Sequence, residues 1–367
     1  MKTHQVQQKT ERRISAALRL VFVAALLLGQ IALAFFLSTE LRQRAAIIYT
    51  VLELAAFGYA VRIYNRTDGT SYKFGWIFLV LTVPVVGLLL YFLWNGDRQQ
   101  KRLDLKKLPM PEEPEAQQAA HRIQMEKLRR KFPQWERLSV YLSRQGYLLY
   151  GDTETRYLPT GEMFLQDMLE KLEQAEHFIF LEFFIIAQGQ VWDRMEEIFR
   201  RKAAAGVEVK IIFDDFGSMM RFPAGQIEAL RESGVEVQVF NPVHHYVNRL
   251  YFNYRDHRKI VCIDGSTAYT GGANVADEYA NLTVRFGYWK DCGIRLDGPG
   301  AWGLTREFLH MWQRNGGQLM QERDYYRPHD HREAAGFCQP FVDGPDNNPI
   351  STAEDVFLHL INNARRS

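Results

Sequence analysis

Residues 253–279 read NYRDHRKIVCIDGSTAYTGGANVADEY, and several groups able to do chemistry stand close together in them. His257 offers an imidazole, which near neutral pH serves as a nucleophile or a proton carrier. Lys259, two residues on, offers a fixed cation. Ile260 to Ile263 is a short apolar run of strand type, and residues two apart on a strand point to the same face. The imidazole and the ammonium are therefore expected side by side at the mouth of a buried strand. Asp264, Gly265 and Ser266 close that strand in a turn. The glycines of TGGAN (270–274) let backbone approach an anion closely, with Asn274 as an amide donor. A histidine nucleophile, an ammonium and glycine-backed donors suit attack on a phosphodiester, because the transition state gathers charge on the phosphoryl oxygens. That chemistry requires no metal and no cofactor.

These groups need a scaffold, and the pattern around them supplies one. HFIFLEFFII (177–186) reads as a buried strand, WDRMEEIFRRKAAAG (192–206) as an amphipathic helix ended by glycine, and VEVKIIFDD (207–215) as the next strand. QIEALRESG (226–234) is again helical and VEVQVF (235–240) again a strand. Strand and helix in alternation predict an α/β sandwich with a largely parallel sheet. Catalytic groups in such sheets gather at strand ends, which singles out Glu182, Asp214 and Asp215. The two aspartates read as strand-end carboxylates held by backbone or arginine.

The first hundred residues are of another kind. Leu20 to Ser38 is apolar except for Gln30, and Phe74 to Trp94 carries no charge, so each is long enough to span a bilayer as a helix. Ala45 to Val61 is shorter and carries Glu53, which makes it the weakest of three candidate spans. Basic residues flank the outer spans on both sides, which favours an even number, while three spans would leave Arg62, Arg66 and Lys73 as a basic inner loop. Both topologies stay open. The expectation is a multi-pass anchor in the cell membrane over residues 1–95, followed by a charged, proline-bearing linker and surface helix over 96–135.

The composition sets further limits. With 367 residues, 47% of them hydrophobic, the chain can build one or two packed domains, and a formal charge of +2 gives no global reason to bind nucleic acid. Three separated cysteines make neither a disulfide framework nor a zinc knuckle. The His244–His245 pair and His329 with His331 lack a third ligand at sensible spacing and read as loop residues.

HRKIVCIDGS with GGAN beyond it resembles the phospholipase D superfamily, and more specifically the bacterial cardiolipin synthases. The resemblance extends through PVVGLLLYFLWNG, IFLEFFI, AAAGVEVKIIFDDFGS, GGANVADEY, WKDCGIRLDGPGAW and FLHMWQ. It implies that His257 attacks phosphorus to form a phosphatidyl-histidine. Lys259 and Asn274 would then bind phosphoryl oxygens, and Asp264 would hold the motif's geometry. Glu182 would lie near the site and orient a histidine, and Ser266 would contact phosphate or serve the turn. The implied partners are a phospholipid membrane and phosphatidylglycerol, with no nucleic acid. The chain departs from the family at Cys292 and Gly293, which follow Trp289, Lys290 and Asp291 where relatives often have threonine and histidine.

Family members have two lobes, each giving one HxK motif to a shared site, and this sequence carries one such motif with its downstream aspartate. Residues 136–338 would be the first lobe and 339–367 the start of a second. A homodimer, a separate second-lobe chain or a truncated fragment would each account for this. The implied activity is transfer of phosphatidyl between two phosphatidylglycerol molecules. Hydrolysis of the phospholipase D type and a catalytically silent membrane-anchored module are the alternatives.

Overall fold

A computed structural model of the chain describes residues 42–66, 70–94, 115–242, 255–318, 320–327, 334, 336–344 and 351–364, with isolated positions between 25 and 35. The expected span Leu20 to Ser38 lies largely outside these residues, as do the His244–His245 pair and the His329–His331 segment. The chain divides into two compact units. One comprises Met1–Asp104, Val243–Tyr254 and Asp346–Ser351, and the other Leu105–Pro242, Arg255–Pro345 and Thr352–Ser367.

In the larger unit the apolar runs become strands β1 (Glu154–Leu158), β2 (Phe178–Phe183), β3 (Glu208–Asp214), β4 (Glu236–Phe240), β5 (Lys259–Ile263), β6 (Thr267–Gly271) and β7 (Gly293–Asp297). They form a seven-stranded sheet in the order β1-β7-β6-β5-β2-β3-β4. Only β2 with β3 and β3 with β4 are parallel, and the four remaining pairings are antiparallel. The sheet is thus mixed rather than largely parallel, which corrects the expectation from strand and helix alternation. The physical reason is what joins the strands, since a parallel pair needs a crossover and a turn or loop without a crossover helix returns the chain antiparallel. Helices Gln190–Ala204 and Ala224–Glu232 carry the chain over for the parallel pairs. Between β5 and β6 a turn at Asp264 and Gly265, with φ of +52° and +68°, folds the chain straight back. Asp-Gly suits such a turn because both residues tolerate positive φ.

Alternation along β2 and β5 sends side chains to two separate layers. Leu181, Phe183, Val261 and Ile263 are buried with Phe164 and Met168 of helix Gly161–Leu172 and Trp192 and Phe199 of helix Gln190–Ala204. On the other face Phe180 stacks on Phe308 of helix Ala301–Arg314 at 4.7 Å. Burial of each of these large side chains contributes about 1.5–3 kcal/mol, so both faces of the central strands are fixed by packing. Residues 338–344 and 352–355 are tied into the same unit. Cys338 bridges Tyr150, the Tyr147 hydroxyl donates to the Val342 carbonyl at 2.7 Å, and the Tyr141 hydroxyl bonds Asp355.

In the smaller unit the weakest of the candidate spans lies in the longest helix among the described residues. Arg42–Tyr64 is a helix of 23 residues, about 35 Å at 1.5 Å per residue. Among the described residues its Ile47–Tyr64 stretch is the one helix long and apolar enough to cross a membrane. The Phe74 to Trp94 run does not form a single spanning helix. It divides into Thr70–Thr82 and Pro84–Trp94, each about 20 Å or less and short of a ~30 Å hydrocarbon core. Pro84 has no N–H to give to the preceding turn, so the helix breaks there. The two halves fold back on each other, with Trp76 and Tyr91 edge to face at 5.4 Å. Gly87 sits against the Leu79–Val80 backbone where a Cβ would not fit.

Candidate active site

The residues leading to His257 are pinned by the end of the neighbouring strand. Asp214, the last residue of β3, accepts the Asp256 amide at 3.0 Å and the amides of Phe216 and Gly217 at 2.8 and 3.3 Å. Arg255 lies 3.4 Å from the same carboxylate and donates to the Asn241 carbonyl at 2.9 Å. Burial pushes Asp214 up to about 6, against the opposing pull of Arg255 and these amides. The chain therefore enters β5 along a fixed path.

His257 stands exposed just ahead of β5, and its ring packs on Phe184 at 4.7 Å between centroids. Lys259 is only 5% exposed. Its Nζ lies 3.0 Å from His257 Nδ1, donates to the His257 carbonyl at 2.6 Å and sits over the Phe184 ring at 5.8 Å. Burial and the neighbouring Lys259 charge lower the His257 pKa, with Asp256 opposing, so the imidazole is neutral at pH 7. Burial likewise pushes Lys259 down to about 8, against the pull of Asp256 and Asp291. The side-by-side arrangement expected from residues two apart on a strand is present.

Asn274 is buried close by. Its Oδ1 accepts the Ile185 amide at 3.0 Å, next to Phe184, and its Nδ2 donates to the Tyr279 hydroxyl at 2.8 Å. An amide NH₂ carries two protons, so one donor remains for another acceptor. The glycines before it serve packing. A Cβ at Gly271 or Gly272 would run into the Cys292 backbone or the Asp291 carboxylate, and the Gly272 amide donates to the Cys292 carbonyl at 3.1 Å.

The other predicted residues lie apart. Asp264 sits at the far end of β5, roughly 20 Å from His257 at about 3.3 Å per strand residue. Its Oδ1 accepts the amides of His177 and Phe178 at 2.7 and 2.8 Å, and its Oδ2 that of Glu176 at 2.8 Å. Ser266 shares that end and is held through its backbone, its amide donating to Ile263 and its carbonyl accepting from Gly298. Glu182 pairs with Ile260 across the β2/β5 register, which turns it to the sheet face opposite Lys259. There it meets Arg258 Nε at 2.7 Å, and Arg258 also meets Asp256 at 2.9 Å. Glu182 is thus placed to orient Arg258, one residue from His257, rather than the imidazole itself.

The sequence reading did not assign roles to Phe184, Asp256 or Asp291. Phe184 follows a buried strand and Asp256 precedes the histidine, but neither carries a periodic signal that marks a site. Asp291 lies 32 residues after Lys259 and comes near it only because β6 and β7 are neighbours.

The cluster can hold a phosphoryl group: a neutral imidazole faces solvent beside an ammonium with an amide nearby. The family description "Cardiolipin synthase, PLD-like domain" matches residues 168–284, which contain this cluster, and "Phospholipase_D-nuclease N-terminal" matches residues 54–95. An uncharacterised protein of Streptococcus mutans is 35% identical over 84% of this chain and 67% of its own length. Cardiolipin synthase 2 of Bacillus anthracis is 30% identical over 86% of this chain and 61% of its own. The chain thus spans between 61% and 67% of the length of these two relatives. A solved phospholipase D family member, Nuc from Salmonella typhimurium, covers 44% of this chain and 92% of its own at a TM-score of 0.31 and 18% identity, too slight a likeness to carry any argument. With a relative 35% identical over 67% of its length and a cardiolipin synthase domain laid over the His257 cluster, the chain belongs to the cardiolipin synthase family of the phospholipase D superfamily.

Proposed function

We propose that the chain carries one lobe of a phosphatidyltransferase that joins two phosphatidylglycerol molecules into cardiolipin and releases glycerol. The observation that carries the reading is the 3.0 Å approach of Lys259 Nζ to His257 Nδ1 at an open strand end. While the ammonium donates to Nδ1, the imidazole proton sits on Nε2. An arriving phosphodiester competes for that ammonium. As Lys259 turns to a phosphoryl oxygen, Nδ1 takes the proton through solvent and the Nε2 lone pair becomes the nucleophile. Nε2 bonds to phosphorus, the bond to the glycerol oxygen breaks, and the alkoxide takes a proton from a general acid. The terminal hydroxyl of a second phosphatidylglycerol then attacks the phosphatidyl-histidine, loses its proton to the same group as a base, and restores His257. Lys259 and Asn274 hold the charge that gathers on the phosphoryl oxygens.

The acid is a second histidine, brought by a second lobe or a second copy of this chain, and such groups typically contribute about 10²–10⁴ in rate. Residues 136–338 act as the His257 lobe. Residues 1–95 act as a multi-pass anchor that keeps the lobe at its lipid, with 96–135 as the linker. In this mechanism Asp264, Ser266 and Glu182 support the strand and its flanks rather than touch phosphate.

The test is conversion of labelled phosphatidylglycerol in reconstituted vesicles, with and without an added polypeptide bearing a second HxK motif. Cardiolipin and glycerol in equal amounts, rising when the second lobe is added or when the protein density is raised, support the reading. Phosphatidic acid in their place makes the enzyme a hydrolase of the phospholipase D type. No product under any of these conditions makes the chain a silent anchored module.

A further inference from the structure

Downstream of the GGAN segment, the loop between Asn281 and Lys290 turns Leu282, Val284, Phe286 and Tyr288 outward with 50, 86, 78 and 69% of their surfaces exposed. The loop is closed at its base and is not a frayed end. Asn281, at φ +51°, accepts the Trp289 amide at 2.8 Å and donates to the Trp289 carbonyl at 2.9 Å. The Asn281 amide and the Tyr288 hydroxyl both reach Glu162, at 2.7 and 3.1 Å. Trp289 packs edge to face on Tyr279 at 4.6 Å, and Tyr279 in turn accepts from Asn274. Asp291, one residue past the loop, is a carboxylate that favours the Lys259 ammonium. An apolar tip therefore stands on a rigid base beside the His257–Lys259 pair.

An apolar surface of this kind marks a contact, and its composition identifies which. Residues 282–290, LTVRFGYWK, hold five aliphatic or aromatic side chains and two cations, and no carboxylate. Aromatic rings with cations at their foot suit the headgroup level of a bilayer, where rings take the interface and cations meet phosphate. Arg285 already lies over the Phe286 ring at 5.2 Å and 3.2 Å from Glu278, a carboxylate that Arg221 also holds at 2.6 Å. A protein partner is the poorer fit, since four side chains on one convex loop fall short of the about 800 Å² per partner that a stable interface buries.

We propose that this loop docks the lobe on the bilayer. Val284 and Phe286 enter the acyl boundary, Tyr288 and Trp289 lie among the headgroups, and Arg285 and Lys290 meet lipid phosphates. The inference rests on the proposed phosphatidylglycerol substrate only in that it sets the open site at the depth of a headgroup phosphodiester.

The experiment uses the full chain in vesicles of phosphatidylcholine and phosphatidylglycerol, with Cys292→Ser as background and as labelling blank. A polarity-sensitive fluorophore is attached at Phe286→Cys, and in a control chain at Glu197→Cys on the exposed side of helix Gln190–Ala204. The expected result at 286 is blue-shifted emission, quenching by doxyl-labelled lipid several-fold above that at 197, and weaker quenching by iodide. Iodide quenching equal to that at 197 overturns the proposal, and so does a blue-shifted label shielded from both quenchers, which marks a protein cover. The chain doubly substituted Val284→Asp and Phe286→Asp is expected to raise KM for vesicle lipid several-fold with kcat in detergent micelles unchanged. Because quenching is read without turnover, a chain that inserts but makes no cardiolipin counts against the transferase reading alone. One that turns over with its tip in water counts against the loop alone.

Discussion

At the leading end of β5, Lys259 and His257 meet across 3.0 Å with the imidazole open to solvent, whereas at the trailing end the Asp264 carboxylate is taken up by three backbone amides of residues 176–178. Both ends belong to one HxK and aspartate motif. At the first end, polar groups are crowded and partly desolvated, so their pKa values move and a proton or a lone pair is available at pH 7. At the second, each carboxylate lone pair in use has a backbone partner, so the group stabilises a chain crossing and has little left to offer a substrate. The comparison teaches that residues of one motif can divide into chemistry and architecture according to which end of a strand they occupy.

The sharpest way to break the contrast is His257→Ala. In the assembly that turns over, phosphatidyl transfer is expected to fall by about 10⁴-fold or more, as for removal of a covalent nucleophile, while the thermal midpoint stays within a few degrees because the ring is exposed. Retained transfer would place the nucleophile elsewhere.

Lys259 gives the next largest effect. In the proposed mechanism Lys259→Met removes a donor to the phosphoryl oxygens, and it is expected to lower kcat by about 10²–10³-fold. Its pH dependence refines the point. With the folded pKa pushed down to about 8, below about 10.4 for the unfolded chain, the ammonium is lost as pH rises through 8. The alkaline limb of kcat/KM should therefore fall near pH 8, and Lys259→Arg should move it out of the measurable range. The sign for stability is the reverse. The folded state binds fewer protons than the unfolded one between those two values, so the cost of the buried ammonium is fully present below pH 8 and is relieved as pH rises above it. An alkaline limb that stays in place in the Arg variant would assign it to another group.

The smallest effect on activity is expected at the other end. Asp264→Ala strips three amides of a charged acceptor, for a loss of about 2–3 kcal/mol in unfolding free energy by denaturant titration. Activity per folded molecule should change less than about 3-fold, since the site lies a strand length away. A fall of the size seen at His257 with unchanged stability would return Asp264 to the chemistry.

What the sequence alone determined is what depends on near neighbours along the chain. Residues two apart on a strand share a face, so the His257–Lys259 pair was legible, as were the Asp264–Gly265 turn and the apolar strands that carry them. The tertiary structure decided everything that depends on which distant segment lies alongside. Antiparallel pairing of β5 with β2 and with β6 made the sheet mixed. The same pairing gave Asp264 its partners 86 to 88 residues away and turned Glu182 toward Arg258. Adjacency of β6 and β7 brought Asp291 within electrostatic reach of Lys259. The apolar run 74–94 could be read for its hydrophobicity, but whether it runs straight or folds back at Pro84 was decided by packing, seen where Trp76 meets Tyr91 and Gly87 admits the Leu79 backbone. Local periodicity reports the face a side chain takes; only strand order and packing, set by burial over the whole chain, determine what it meets there.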